Sequence, residues 1–109
     1  MSNSLNVNWH YVAQANEIED EDVLQAKIGD HLLAIYNTGG QFYASDDLCT
    51  HGHALLSEGL VIDNIIECPL HQGRFDIKNG APKGAPVCEK LTTYPTKIDD
   101  GKVYVEFPA

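Results

Sequence analysis

Basic residues are scarce in this sequence. Among its 109 residues, seven lysines and arginines stand against sixteen aspartates and glutamates, which gives a net charge of −9. Nucleic acids and anionic membranes would both repel so acidic a surface, so we expect neither as a partner. The charge suits a protein that docks to the basic face of another protein. The one run of acidic residues, 17–22, is either a solvated loop or part of such a docking face.

Long apolar runs are also missing, and there are only three cysteines. No run approaches the roughly 20 apolar residues that cross a bilayer. Residues 1–9 have neither the basic nor the apolar region of a signal peptide. Because the cysteines are odd in number and are not spaced like a secreted disulfide scaffold, they indicate a reducing compartment. We therefore expect a cytoplasmic protein.

The residue pattern is typical of short strands. β-Branched and aromatic residues alternate with polar ones, and turn sequences recur at residues 29–30, 63–64 and 99–101. The expected strands are residues 9–13, 23–28, 31–36, 41–45, 60–63, 65–68, 92–98 and 102–107. This predicts an all-β, antiparallel fold in a single domain that spans residues 1–109.

The stretch from residue 46 to about residue 86 departs from this pattern. It contains two of the three cysteines and three of the five prolines, together with several glycines. We interpret it as a loop-built subdomain set into the β framework.

Four residues in this stretch have the spacing of a metal site. Cys49 and His51 are followed by Cys68 and His71, in the pattern C-x-H-x16-C-x-x-H. Two thiolates and two imidazoles suit either zinc or an iron–sulfur centre. Structural zinc sites commonly pair two cysteines in one segment and two histidines in another, whereas here each segment supplies one of each. If the segments face one another, one iron takes both thiolates and the other both imidazoles, which is the Rieske arrangement.

The segments around these residues resemble a known family. Residues 48–52 (LCTHG), residues 67–76 (ECPLHQGRFD) and the proline-containing residues 84–87 are similar to the Rieske ferredoxins. The likeness is greatest to the ferredoxin components of bacterial aromatic-ring hydroxylating dioxygenases of the naphthalene and biphenyl type, and it covers essentially the whole chain. It implies a Rieske fold with a cluster-binding subdomain. It also implies one [2Fe-2S] cluster with four ligands, Cys49, His51, Cys68 and His71.

The resemblance further implies an electron carrier rather than an enzyme. Electrons would pass from a flavin-containing ferredoxin reductase, which oxidises NADH, to a terminal Rieske non-haem iron oxygenase. The sequence contains no Ser-His-Asp set, P-loop or dinucleotide-binding glycine motif, so flavin and substrate are expected in other proteins. We expect the carrier to be a monomer.

Two other functions stay open from the residues alone. A Rieske subunit of another electron chain, such as the small-subunit type of nitrite reductase, would use the same ligands. A zinc-stabilised interaction module would have no redox role and, unlike an iron–sulfur protein, would be colourless.

Four nearby residues have weaker interpretations. His53 is expected to be exposed near a docking tip, because the ligand pattern is complete without it. Cys88 lies outside both segments and is interpreted as a small packing residue, with a redox role as the alternative. Arg74 and Asp76 either pair with each other to brace the second segment or lie exposed at the surface.

Overall fold

The computed structural model describes residues 8–50, 54–70, 73–83 and 89–108. Within these ranges, ten strands form three antiparallel sheets, and the helices are two short 3-10 turns at Ala15–Glu17 and Leu56–Glu58. No helix in the described ranges is long and apolar enough to cross a membrane. The strands in chain order are β1 (Trp9–Gln14), β2 (Asp22–Ile28), β3 (His31–Thr38), β4 (Gln41–Asp46), β5 (Leu60–Ile62), β6 (Ile65–Glu67), β7 (Arg74–Asp76), β8 (Thr93–Tyr94), β9 (Thr96–Asp99) and β10 (Lys102–Glu106). The all-β, antiparallel prediction is confirmed.

The three sheets have simple orders. The terminal sheet has the order β1-β10-β9, the central sheet β2-β3-β4-β8, and the small sheet β5-β6-β7. The central sheet begins with the tight β2–β3 hairpin, in which Gly29 has a φ of 61°. Glycine suits this turn because a residue with a Cβ is strained at positive φ.

Strand β3 lies between two apolar cores because successive side chains point to opposite faces of a strand. Leu33 and Ile35 pack into the core that includes residues of the terminal sheet. Ala34 and Tyr36 pack into a second core that includes residues of the small sheet. All four are fully buried. A continuous apolar run in the sequence therefore marks the strand that connects the framework to the small sheet.

The prediction of one strand over residues 92–98 is wrong. The chain changes sheets at Pro95, with β8 pairing with β4 before it and β9 pairing with β10 after it. Proline has no backbone N–H and cannot continue a ladder as a donor. The Pro95 carbonyl still accepts a hydrogen bond from the Glu106 N–H at 2.9 Å.

The small sheet contains two predicted strands and one that the sequence did not predict. β5 and β6 form a hairpin whose turn residues, Asp63 and Asn64, have φ values of 53° and 66°. The unpredicted strand is β7, which pairs with β6. Val61, Ile66 and Phe75 lie side by side on the inner face and are buried. Strand β6 ends at Glu67, immediately before Cys68.

Candidate metal centre

Two of the four expected ligands lie in the described residues. Cys49 and Cys68 are free thiols and are 3% and 1% exposed. Both belong to the apolar core that also contains Tyr36 and Phe75. The other two expected ligands, His51 and His71, lie outside the described residues. So do His53, Cys88 and the proline-containing residues 84–87.

Each cysteine begins a loop that is closed by the same kind of backbone hydrogen bond. The N–H of Cys49 donates to the carbonyl of Ala54 at 3.0 Å, and the N–H of Cys68 donates to the carbonyl of Gly73 at 2.7 Å. We call residues 49–54 the first loop and residues 68–73 the second loop. His51 belongs to the first loop by sequence and His71 to the second. The backbone thus closes the two segments in the same way.

The base of the first loop is held by Asp47, whose side chain is fully buried. Its carboxylate accepts hydrogen bonds from the Ser57 N–H at 2.7 Å, the Ser57 hydroxyl at 2.8 Å and the Gln25 amide at 2.8 Å. Its backbone carbonyl accepts the Leu56 N–H at 2.7 Å. One residue therefore connects both ends of the first loop to strand β2.

The base of the second loop is held by the β6–β7 ladder. Glu67 lies opposite Arg74, and the Arg74 Nε is 3.6 Å from the Glu67 Oε1. The suggested pairing of Arg74 with Asp76 is wrong, because a directly opposite residue is nearer than the next one on the same face. Asp76 instead accepts the Lys78 N–H at 2.8 Å. The alternative was that both residues lie exposed, and this holds for Arg74, whereas Asp76 is half-buried.

The segments that carry the two loops touch at Gly59. A Cβ on Gly59 would lie 2.1 Å from the carbonyl oxygen of Glu67, the residue before Cys68. That is far inside van der Waals contact, so only glycine fits there without a shift of the backbone.

The two thiols interact with each other. Burial, a hydrogen bond with Cys49 and the negative charge of Cys49 raise the pKa of Cys68 to about 11, and a hydrogen bond from the Leu70 backbone N–H opposes this. Two buried free thiols with a backbone donor aimed at one sulfur fit the thiolate half of a [2Fe-2S] site. Elsewhere in the described ranges, no group of three or more histidine, cysteine or carboxylate residues could hold a metal ion.

Sequence reasoning missed two buried polar residues near Cys49. The Tyr36 hydroxyl is hydrogen-bonded to the Ser45 Oγ at 2.8 Å. Burial, with the negative charges of Asp47 and Cys49, raises the pKa of Tyr36 well above its usual range, although the bond to Ser45 acts in the opposite direction. In the sequence, Tyr36 is one of several aromatic residues in predicted strands, and Asp47 is one of several acidic residues in loops. No sequence pattern therefore distinguishes these two residues from their neighbours.

Known proteins of the same kind match almost the whole chain. The Rieske [2Fe-2S] domain family matches residues 8–95. The anthranilate 1,2-dioxygenase ferredoxin subunit of Burkholderia cepacia is 42% identical over 105 residues, covering 96% of this chain and 97% of the relative. The ferredoxin component of the naphthalene 1,2-dioxygenase system of Pseudomonas putida is 41% identical over 102 residues, covering 94% and 98%.

Solved structures agree with these relatives. The Sphingomonas yanoikuyae B1 ferredoxin superposes with a TM-score of 0.88 at 38% identity, covering 93% of this chain and 100% of that one. A chain from the complex of reduced oxygenase and oxidized ferredoxin in carbazole 1,9a-dioxygenase gives a TM-score of 0.85 at 37% identity, covering 90% and 92%. The named relatives are ferredoxin components, which carry electrons, and not oxygenases. The chain therefore belongs to the Rieske [2Fe-2S] domain family, among the ferredoxin components of dioxygenase systems, and its cofactor is a Rieske-type [2Fe-2S] cluster.

Proposed function

We propose that this protein carries single electrons from an NADH-dependent flavin reductase to the terminal Rieske non-haem iron oxygenase of an aromatic-ring dioxygenase system. The observation that carries the proposal is the identity of 42% and 41% to two ferredoxin components, over nearly their whole lengths. Catalysis stays with the partners, and this chain delivers electrons.

We also propose the ligand set and the extent of the site. Cys49 and Cys68 would hold one iron, and His51 and His71 the other, within a cluster-binding subdomain at residues 46–86 of a single domain spanning residues 1–109. The burial of both thiols and the matching closures of their loops support this assignment. When bound, the cluster supplies a one-electron redox couple.

The protein residues around the thiols have two functions in this proposal. Tyr36 and Phe75, both fully buried beside Cys49 and Cys68, exclude water from the thiolate side. The Leu70 N–H donates to the Cys68 sulfur and stabilises its negative charge. The chain therefore provides a dry, hydrogen-bonded site and leaves the electron couple to the cofactor.

The charge of the chain supports a protein partner with a basic surface. At −9 the molecule is repelled by nucleic acids and anionic membranes and attracted to basic protein faces. Of the acidic run at residues 17–22, every acidic residue is exposed and Ile18 is buried. We propose a monomer that works in the cytoplasm and binds reductase and oxygenase in turn.

Reconstitution tests this function directly. The purified protein should be red-brown and contain two irons and two acid-labile sulfides per chain. With NADH, a flavin reductase and an aromatic-ring oxygenase, it should support product formation, and the reduced protein should be reoxidised on mixing with oxidised oxygenase in a stopped-flow experiment.

The Cys68→Ser variant is the matched control and should support neither reaction. One zinc per chain without sulfide would indicate an interaction module instead. A coloured protein that reduces a nitrite reductase but no oxygenase would place it in another electron chain.

A further inference from the structure

The outer face of the small sheet exposes aliphatic side chains, where strands that face water usually carry polar ones. Val61 and Ile66 are buried on the inner face, so the residues on either side of them in β5 and β6 face outward. Leu60 is 56% exposed and Ile62 is 50% exposed. The half-buried Ile65 lies directly opposite Ile62 and makes the patch continuous. Apolar side chains grouped at a surface mark a candidate binding surface.

This face is concave. A depression of about 280 Å³ is lined by Leu60, Ile62, Asp63, Ile65, Glu67 and Arg74. A second depression, of about 300 Å³, shares Leu60 and Glu67 with the first and extends to Pro69 and Cys68. We call the two depressions together the outer groove. Because Cys68 is a proposed cluster ligand, a protein seated in the outer groove lies beside the site, as electron transfer between two proteins requires.

The rim of the outer groove is acidic. Among the described residues that line it, Glu58, Asp63 and Glu67 are acidic and Arg74 is the one basic residue. The charge of Arg74 is already opposed by Glu67, whose Oε1 is 3.6 Å from the Arg74 Nε. The acidic run found in the sequence adds to this rim, because the Glu21 carboxylate accepts the Asp63 N–H at 3.2 Å. The rim therefore attracts a basic protein surface.

We propose that the outer groove is a docking surface for the terminal oxygenase, which seats an aliphatic or aromatic side chain against Leu60 and Ile62 and sets lysines or arginines against the acidic rim. A central apolar anchor within a charged rim is the arrangement that provides most of the binding energy at protein interfaces. The inference rests on the proposed function and adds the place where the electron acceptor binds.

Two other occupants are less favoured. The oxygenase is preferred to the reductase, because an oxygenase occurs in complex with a ferredoxin that is 37% identical to this chain. A second copy of this chain is disfavoured, because two molecules that each carry a net charge of −9 repel each other.

The test is the dissociation constant between the cluster-loaded protein and an aromatic-ring oxygenase that the wild type reduces, measured by isothermal titration calorimetry. Ile62→Thr should weaken binding severalfold, and Leu60→Thr with Ile62→Thr by about tenfold or more, because apolar contact area is lost. Threonine keeps the preference for a strand. The matched control is Ile98→Thr on β9 of the terminal sheet, since Ile98 is 47% exposed and lies outside the groove. Unchanged affinity in the double variant, or equal losses in Ile62→Thr and Ile98→Thr, would overturn the proposal.

The acidic rim is tested separately. Glu58→Gln with Asp63→Asn should weaken binding severalfold at low salt and much less at high salt, because salt screens exposed charges. The control pair, Asp30→Asn with Asp99→Asn, removes the same net charge from exposed positions outside the groove and should have a smaller effect. Equal losses in the two pairs would mean that net charge, and not the outer groove, guides docking. This comparison also decides the matter if the threonine variants fail to hold a cluster.

The alternatives give different results. A double threonine variant that loses affinity for the flavin reductase but not for the oxygenase would overturn the choice of occupant. A wild type that sediments as a dimer, and becomes monomeric in the same variant, would assign the groove to a second copy. A wild type that neither binds nor reduces an oxygenase would refute the proposed function as well. Normal reduction of the oxygenase by the wild type, with unchanged affinity in the double variant, would refute the docking surface alone.

Discussion

The two cysteine loops are closed alike but anchored differently. The second loop continues the β6–β7 hairpin, so backbone ladder bonds hold its base, with an exposed ion pair between Glu67 and Arg74. Among its described residues, the first loop has only the isolated bridge between Leu48 and Leu55, and its base is held by the buried carboxylate of Asp47. The difference shows that the same backbone closure can be anchored by side-chain hydrogen bonds in one loop and by a backbone ladder in the other. Substitutions should therefore affect the halves unequally, except at the ligands.

The largest effect should be the same in both loops. Cys49→Ser, Cys68→Ser or His71→Ala should lose or badly damage the cluster and loosen the fold, because metal binding is coupled to folding. Absorption spectra, iron analysis and thermal unfolding measure this. His53→Ala is the control and should keep the colour. A colourless His53→Ala protein would show that the ligands are assigned wrongly.

The contact between the segments is the next most sensitive point. Gly59→Ala should lower the free energy of unfolding by about 3 kcal/mol, because the new Cβ overlaps the Glu67 carbonyl and the backbone must move. Gly29→Ala has open space around it and a φ of 61°, so it should cost only about 1 kcal/mol. Urea unfolding of both cluster-loaded variants measures the difference. Equal costs would mean that the contact at Gly59 does not constrain the loops.

The anchors themselves should differ in strength. Asp47→Ala removes the fully buried acceptor of three partly buried hydrogen bonds, from Ser57 and Gln25, and should cost about 2 kcal/mol. Arg74→Ala removes an exposed ion pair at the base of the second loop and should cost less than about 1 kcal/mol. Urea unfolding compares them directly. A larger loss in Arg74→Ala would reverse the distinction drawn between the loops.

The smallest effect concerns docking to a partner protein. Electron delivery to a basic partner should slow severalfold as salt rises from low to physiological concentration, because exposed charges are screened over about 8–10 Å there. Stopped-flow rates under second-order conditions measure this. A rate that does not respond to salt would mean that docking around the histidine loops is apolar, in which case the difference between their anchors would not extend to partner binding.

Period-two alternation and turn residues were enough to predict most of the strands. Pro95 was a readable signal, since proline inside a strand pattern should have divided residues 92–98. Strand β7 was missed because it has only three residues, which are too few to show the alternation of apolar and polar side chains that predicts a strand. Asp47 could not be found, because its partners, Gln25 and Ser57, are distant in sequence and converge only in the folded chain. Local sequence patterns predict strands and ligand motifs. They do not predict buried polar contacts, such as those of Asp47, between residues that are distant in sequence.

The contact at Gly59 also limits how much the site can rearrange when an electron is transferred. The segments of the two loops meet there through backbone, since an added Cβ would already overlap the Glu67 carbonyl oxygen. A backbone contact has no rotamers to choose among, so the gap between the thiolate-bearing segments is set by the chain rather than by adaptable side chains. Electron transfer is favoured when surrounding atoms stay in place as the charge arrives, since preorganised groups need no reorganisation at that moment. A single residue without a side chain thus helps to keep the carrier rigid, and any other amino acid at its position would require the backbone to move.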